Sequence, residues 1–270
     1  MRAGLRLRLV PSGGESVAKR KNIRTAGRLV TGVIYTVAHP KDTEQERAAK
    51  LQVSSMARER INLRYSWQKL EWLLAANFSY QDWHVTVTYD DDHLPLDRSV
   101  AKKTIRKFFK ELKALRKETV GAATLYIYNT EGFHGIRRFH HHLVLNNCDD
   151  AAAIQALWGR GNVDFEPIGK LGYTKLAKYL TKESDEYGKW TVGERTWTPC
   201  LGLARPKPDT GWCPENFTLT IPPGANVLFS DSVRNEFGEF TYLKYLLPER
   251  PRDLPERYHR PRPERKTDRI

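Results

Sequence analysis

The chain contains few cysteines and methionines, with three of the former and two of the latter among 270 residues. Cys148, Cys200 and Cys213 are too few and too scattered along the sequence for a disulfide framework or a zinc cluster, which fits a reducing cytosol. No apolar run approaches the roughly 18 residues of a membrane span, and the basic N-terminus lacks the apolar core of a secretion signal. We therefore expect a cytoplasmic protein without a membrane partner.

Two further shortages bear on function. The sequence has no Gly-x-x-x-x-Gly-Lys-Ser/Thr motif, so it gives no sign of an ATP-driven helicase of its own. Acidic residues are in deficit, with 32 Asp and Glu against 45 Lys and Arg, a net charge of +13 and an isoelectric point near 9.6. This balance favours a nucleic acid or another anionic surface as the partner.

The composition divides the chain into three parts. Residues 1–74 comprise a basic arm, with eight basic residues and one acid among the first 30, and a helical pattern over residues 41–73. We expect the arm to be solvated and mobile, or to act as an electrostatic tether to phosphates. Residues 75–247 are the expected folded domain with a C-terminal extension. Residues 248–270 hold five prolines and eight basic residues, a composition typical of disorder.

Alternation and helical periodicity predict the order β-α-β-β-α-β-α. We expect strands at 83–89, 123–130, 139–145 and 162–168, and helices that end near 117, 158 and 182, the first of them capped by Asp97 or Ser99. This order is typical of the split βαβ fold, an α+β architecture whose antiparallel sheet carries helices on one face and leaves the other open for a ligand. Three later segments are candidates to extend the sheet: residues 217–221, 227–229 and 240–247.

Three consecutive histidines, His140, His141 and His142, lie in the third predicted strand. Because side chains alternate along a strand, His140 and His142 point to one face and His141 to the other, where we expect it in the core. Two imidazoles on one face form half of a site for Mn²⁺, Mg²⁺, Zn²⁺ or a similar ion. Glu131, at the end of the paired strand, is the best candidate for a third ligand, although an ordinary hairpin-end carboxylate would look the same.

Tyr179 and Lys182 are three residues apart in the last predicted helix and therefore share a face. A phenol is a weak nucleophile at its free pKa of about 10, but a metal ion that polarises a phosphate and a cation beside the phenol both assist its attack. The pattern favours attack of Tyr179 on a phosphodiester, which leaves a 5′-phosphotyrosyl bond and a free 3′-OH. Tyr173 and, less so, Tyr187 are alternative nucleophiles, and a packed tyrosine beside a solvated lysine is the structural alternative.

The chain resembles the HUH endonucleases, and among them the rolling-circle replication initiators of small phages and plasmids. Three stretches carry this resemblance in order: residues 84–95 (HVTVTYDDDHLP), 138–145 (RFHHHLVL) and 176–183 (LAKYLTKE). Two shorter stretches, residues 157–164 and 201–206, also look familiar. The resemblance covers roughly residues 75–210 and leaves out the N-terminal arm and the tail.

The resemblance implies a divalent metal, Mg²⁺ or Mn²⁺, held by His140 and His142 with an acidic third ligand, and Tyr179 as nucleophile with Lys182 as its helper. It implies sequence-specific nicking and rejoining of single-stranded DNA at a replication origin, in the cytoplasm of a bacterial host. The missing ATPase motif implies a host helicase as a partner, and we also expect a single-strand binding protein. His141 departs from the family, which usually has a bulky hydrophobic residue there. The single nucleophilic tyrosine is similar to the one-tyrosine branch.

Other functions stay open at this point. A mobilising relaxase or a small transposase would use the same chemistry, although relaxases often place the tyrosine before the histidines. A non-enzymatic RNA- or DNA-binding module of RRM-like topology would stack bases on aromatic residues of its open sheet face and would need no metal. A His-x-His metal hydrolase would need more ligands downstream, where His259 is the one histidine left. His84, His93 and His134 are expected to be surface or packing residues.

Overall fold

A computed structural model describes residues 19–61, 66–133, 137–181 and 196–248 of the chain. These residues form two five-stranded antiparallel sheets and five helices, which confirms the α+β class. The strands are Lys19–Ala26 (β1), Leu29–Thr36 (β2), Trp83–Thr88 (β3), Tyr126–Phe133 (β4), Arg137–Leu145 (β5), Val163–Pro167 (β6), Thr198–Pro199 (β7), Asp209–Cys213 (β8), Asn226–Asn235 (β9) and Gly238–Leu246 (β10). The helices are Glu44–Ile61 (α1), Ser66–Asn77 (α2), Arg98–Thr119 (α3), Ala151–Trp158 (α4) and Thr174–Tyr179 (α5). No described helix combines the length and the apolar composition that a bilayer span requires.

The sheet that contains the three histidines, called the histidine sheet below, has the strand order β6-β3-β5-β4-β7. All of its pairs are antiparallel. Because β5 lies between β3 and β4, which α3 connects along the chain, the βαβ unit is split as predicted. The element order β3-α3-β4-β5-α4-β6-α5 is also the predicted one.

One face of the histidine sheet packs against α3 and α4. α3 begins after Asp97, whose carboxylate accepts a hydrogen bond from the backbone N–H of Val100, so Asp97 rather than Ser99 is the cap. The apolar residues of α3 recur every three or four positions, which places them on one side of the helix. They pack with β3, β5 and the fully buried Trp158 of α4, and they are Ala101, Ile105, Phe108, Phe109 and Leu112.

The other face of the histidine sheet carries α5 and α2 at one end. Ile127 of β4 and Val144 of β5 share this face and belong to the same buried cluster as Leu70 of α2 and Leu180, which follows α5. Helices therefore lie on both faces, and the face predicted to be open is covered where Ile127 and Val144 lie. The same packing brings the end of α5 next to the histidines.

The second sheet has the order β8-β1-β2-β10-β9 and packs against α1. Residues 19–36 provide two of its strands, so the prediction of a mobile arm is wrong for the described part of residues 1–30. β1 has the sequence KRKNIRTA, which carries little apolar signal, but it is held by backbone pairing with β2 and β8. The late segments at residues 226–246 extend this second sheet and not the histidine sheet.

The three-part division of the chain stays a prediction. The second sheet draws strands from both sides of the predicted division after residue 74. The helical pattern at residues 41–73 corresponds to two helices, α1 and α2. Residues 1–18 and 249–270, which contain much of the predicted arm and nearly all of the predicted tail, lie outside the described residues.

Candidate active site

Glu131, His140 and His142 converge on one face of the histidine sheet. Glu131 pairs with His140 across β4 and β5, and His142 lies two residues further along β5. The Nε2 atoms of His140 and His142 lie 3.4 and 3.6 Å from the two carboxylate oxygens of Glu131. One ligand atom from each residue lies within 4.8 Å of the other two. The predicted placement of both histidines on one face is thus confirmed, and Glu131 lies beside them.

A glycine shapes the strand at Glu131. Gly132 has a φ of +113°, and a Cβ atom there would lie 2.7 Å from the carbonyl oxygen of Arg138. The pairing register shifts between Glu131 and Phe133, so this position is a β-bulge. A side chain would be strained and would clash at this position, whereas glycine fits. Gly132 therefore allows the pairing register to shift directly beside Glu131.

Hydrogen bonds on the far side of each ring orient the two imidazoles. Nδ1 of His140 lies 3.0 Å from the carbonyl oxygen of Arg138, which can only accept, so Nδ1 carries the hydrogen. Nδ1 of His142 lies 3.1 Å from Oγ1 of Thr86 on β3. With Nδ1 engaged in this way, Nε2 of each ring is directed to Glu131, which is the arrangement of histidines that ligate metal ions.

The fully buried carboxyl group of Glu131 is held in its charged form. Burial would raise its pKa, but the interactions with the adjacent rings of His140 and His142 outweigh burial and hold the pKa well below its usual range. Burial lowers the pKa of His142. A carboxylate and a neutral imidazole are the forms that bind metal ions. Asn129 supports this arrangement, since its Nδ2 donates to Oε1 of Glu131 at 3.3 Å and to the carbonyl oxygen of Leu180 at 3.0 Å.

The chemistry of this group of side chains fits a divalent cation. Two imidazole nitrogens and a carboxylate oxygen are donors that Mn²⁺, Zn²⁺ and similar ions accept. The buried Glu131–His140–His142 group can therefore hold a metal ion. With these three side chains as ligands, a bound ion would have positions left for water or a substrate oxygen.

His141 points to the opposite face, as predicted. It is fully buried beside Trp158, and its two ring nitrogens bond to the hydroxyl groups of Tyr89 at 2.8 Å and Thr130 at 2.9 Å. Burial lowers the pKa of His141 from 6.5 to about 3, so the ring is neutral at physiological pH. Both nitrogens are engaged on the helical side, and His141 is therefore a core residue outside the group of Glu131, His140 and His142.

Tyr179, the last residue of α5, reaches the histidines from the helix. Its hydroxyl lies 3.2 Å from Nε2 of His142, and the two rings meet edge to face with their centroids 4.9 Å apart. A hydroxyl can donate or accept, so the phenol of Tyr179 and the hydroxyl of Thr86 satisfy both nitrogens of the His142 ring in either of its neutral tautomers. Tyr179 is 36% exposed, so a substrate can reach it. The candidate nucleophile and the candidate metal group are thus in direct contact.

An ion pair between the two halves of the fold holds the start of α5. Nζ of Lys244, on β10, lies 2.7 and 2.8 Å from the carboxylate oxygens of Glu71 on α2. The hydroxyl of Thr174, the first residue of α5, donates to the same carboxylate. The second sheet therefore helps to position the helix that carries Tyr179, although it contributes no residue to the group of Glu131 and the histidines.

Tyr173, the alternative nucleophile, lies in the core. It is 8% exposed, its hydroxyl donates to the carbonyl oxygen of Phe78 at 2.6 Å, and burial raises its pKa to about 12. These properties make it a poor nucleophile. Lys182, His134 and Tyr187 lie outside the described residues, so the helper role of Lys182 stays a prediction.

Three residues of the site were not predicted, namely His84, Thr86 and Asn129. His84 was expected at the surface or in packing, but its ring stacks on His142 and meets Tyr179, with centroid distances of 5.4 and 5.7 Å. The alternation of side chains along β3 and β4 is a signal that places all three on one face. Alternation does not show which strand is the neighbour in the sheet, and the neighbouring strand decides which side chains meet.

The stretch that carries this site is similar to a known family. A family model for replication-associated proteins matches residues 82–184, which is less than half of the chain. The match includes Glu131, both candidate histidine ligands and Tyr179. No match was found among curated proteins or solved structures. The similarity therefore connects this region, with its site, to replication-associated proteins.

Proposed function

We propose that the protein nicks and rejoins single-stranded DNA at a replication origin, in a sequence-specific manner, and so starts rolling-circle replication. The observation that carries this proposal is the 3.2 Å contact between the Tyr179 hydroxyl and Nε2 of His142, next to Glu131. The similarity of residues 82–184 to replication-associated proteins supports it. The net charge of +13 supports a polyanionic substrate.

Tyr179 is the proposed nucleophile. Its phenolic oxygen forms a bond to phosphorus while the bond from phosphorus to the 3′ oxygen breaks. The phenolic proton passes to a base or to solvent, and the departing 3′ oxygen takes up a proton, so the products are a 5′-phosphotyrosyl link and a free 3′-OH. The link conserves the phosphodiester energy, so a 3′-OH can later attack it and rejoin the strand. Lys182 is proposed to stabilise the phenolate by its charge.

His140, His142 and Glu131 are proposed to hold Mg²⁺ or Mn²⁺. When bound, such an ion polarises the phosphate and offsets the negative charge that develops during attack. Thr86 and Asn129 orient the ligands, since the first bonds to the ring of His142 and the second to the Glu131 carboxylate. These bonds hold the ligands in place before the substrate arrives.

The proposed partners follow from the reaction. The sequence has no P-loop motif, so a host helicase is proposed to unwind the duplex, and a host single-strand binding protein to cover the displaced strand. The proposed place of action is the cytoplasm of a bacterial host. With one nucleophilic tyrosine, termination is proposed to use a second protomer, water or another tyrosine.

A cleavage assay on labelled DNA tests the proposal. Origin-containing single strands, labelled at the 5′ or the 3′ end, are incubated with Mn²⁺ or with a chelator and run on denaturing gels. We expect a metal-dependent protein adduct on the fragment 3′ of the nick, absent in Tyr179→Phe and present in Tyr173→Phe. DNA binding without an adduct in any metal would instead support a non-enzymatic binding module.

A further inference from the structure

The ring of His84 contacts His142 and Tyr179, although His84 is neither a candidate metal ligand nor the candidate nucleophile. It lies on β3, and its ring stacks on His142 with an interplanar angle of 29° and a centroid distance of 5.4 Å. The same ring meets Tyr179 edge to face at 5.7 Å. Since His142 and Tyr179 also touch each other, the three rings form a mutually contacting set. The side chain of His84 is 11% exposed, so its ring is largely shielded from water.

The two ring nitrogens of His84 differ in their surroundings. Nδ1 lies 3.2 Å from Oε2 of Glu166 on β6. A carboxylate only accepts hydrogen bonds, so Nδ1 of His84 carries the hydrogen and Nε2 of the neutral ring is an acceptor. This Nε2 is buried and has no hydrogen-bond partner among the residues that the structure describes. Buried acceptors are normally satisfied, so an unpartnered one beside a candidate nucleophile points to a hydrogen bond made in another state of the site.

The hydroxyl of Tyr179 is a donor that can fill this role. It lies 3.2 Å from Nε2 of His142, which is the same atom that faces Glu131 and is proposed to ligate the metal. An imidazole nitrogen has one lone pair, so it cannot ligate an ion and accept a hydrogen bond at once. His84 contributes a second imidazole acceptor in contact with the Tyr179 ring.

We propose that His84 is a positioning residue for Tyr179, whose hydroxyl donates to Nε2 of His84 when Nε2 of His142 serves as a metal ligand. Glu166 acts indirectly, through His84. Its carboxylate keeps the hydrogen of the His84 ring on Nδ1 and leaves Nε2 as an acceptor. The inference rests on the proposed function, because it concerns the orientation of the proposed nucleophile. It assigns His84 no part in holding the ion or the DNA.

Two substitutions separate the hydrogen bond from ring packing. His84→Gln keeps a carbonyl acceptor at a similar reach and loses the ring, whereas His84→Phe keeps the ring and loses the acceptor. We expect the single-turnover nicking rate with Mn²⁺ to fall at least tenfold in His84→Phe and to stay within threefold of the wild type in His84→Gln. The dissociation constants for Mn²⁺ and for DNA should stay within twofold in both variants. A faster rate in His84→Phe than in His84→Gln would assign the residue to packing and overturn the inference.

A measurement on the wild type does not depend on activity or on how the variants fold. Nitrogen-15 spectra of the imidazole side chains report which nitrogen carries the hydrogen, and we expect Nδ1 to be protonated and Nε2 to be bare in His84 of the metal-free protein. The reverse tautomer would refute the inference.

His93→Gln is the matched control, since His93 follows the same strand but is exposed and bonds to Asp90, away from the rings. This control should nick at the wild-type rate. The nicking function and the role of His84 can be tested separately. If the wild type forms no adduct, the proposed function is wrong whatever His84 does. If the wild type forms the adduct and His84→Phe nicks equally fast, the positioning role alone is wrong.

Discussion

The hydroxyl of Tyr179 lies 3.2 Å from Nε2 of His142, and the same Nε2 lies 3.6 Å from Glu131. One atom thus connects the candidate nucleophile to the candidate metal group. The contact requires two independent features of the fold. Strand alternation turns His142 towards the site, and the packing of α5 on the histidine sheet brings Tyr179 to it.

Removal of either candidate histidine ligand, His140 or His142, should weaken metal binding strongly. We expect His140→Ala and His142→Ala each to raise the Mn²⁺ dissociation constant by more than about 100-fold, since loss of an outer-shell partner alone costs about 10- to 100-fold. Isothermal titration calorimetry gives the constants, with the exposed His93→Ala as control. Unchanged Mn²⁺ affinity in both ligand variants would show that these residues do not hold the ion.

Substitution of the middle histidine should affect stability instead. His141→Ala leaves the buried hydroxyl groups of Tyr89 and Thr130 without their ring partner and opens a cavity, which should cost about 2–4 kcal/mol in the free energy of unfolding. Urea unfolding measures this loss. The affinity for Mn²⁺ should stay within threefold of the wild type, and a loss equal to that of His142→Ala would contradict the separation of the two faces.

The hydroxyl of Thr86 should affect metal affinity through its hydrogen bond to the ring of His142. Thr86→Val keeps the shape of the side chain but removes the hydroxyl that bonds to Nδ1 of His142, so we expect the Mn²⁺ affinity to fall about 10- to 100-fold. Thr88→Val is the matched control on the same strand, because the Thr88 hydroxyl bonds to the backbone of Asn162 and not to the metal group. Equal calorimetric results for the two variants would remove Thr86 from the site.

Tyr173 should contribute to stability and not to cleavage. Tyr173→Phe removes the hydrogen bond to Phe78, which should cost about 1 kcal/mol, while the nicking rate stays within threefold. Burial raises the Tyr173 pKa from 10 to about 12. Between these pH values the unfolded chain has released this proton and the folded chain retains it, so stability falls as the pH rises.

The same substitution tests that pH dependence. Urea unfolding of the wild type and of Tyr173→Phe at about pH 8 and about pH 11 should show a shallower loss of stability in the variant, since the variant has no phenol to titrate at this position. Identical slopes in the two proteins would mean that the pKa of Tyr173 is not raised. A nicking rate that collapses in Tyr173→Phe would make Tyr173 the nucleophile.

Local patterns were sufficient for four of the five strands of the histidine sheet, all but the two-residue β7, and for the faces of their residues. Alternation in β5 separates His140 and His142 from His141, and the spacing of Ile105, Phe108 and Leu112 predicts the buried stripe of α3. Both kinds of signal lie within a few residues of sequence. The faces of these residues could therefore be predicted without knowledge of the three-dimensional arrangement.

The remaining features depend on contacts between distant parts of the chain. β1 was predicted as a mobile arm because its charges dominate, yet it pairs with β8, nearly 200 residues away. His84 was set aside because alternation gives the face of a side chain but not the neighbouring strand, and the β3–β5 pairing brings it to His142. Likewise, the position of Tyr179 depends on contacts of α5 with α2 and with Lys244 of β10.

Mass spectrometry of the protein–DNA adduct, after digestion with nuclease and trypsin, tests directly whether Tyr179 is the nucleophile. Lys170, Lys175, Lys178 and Lys182 separate the two candidate tyrosines into the peptides at residues 171–175 and 179–182. If Tyr179 is the nucleophile, the added nucleotide mass is on the peptide at residues 179–182, which contains Tyr179. The mass on residues 171–175, or nicked DNA without any adduct, would contradict it.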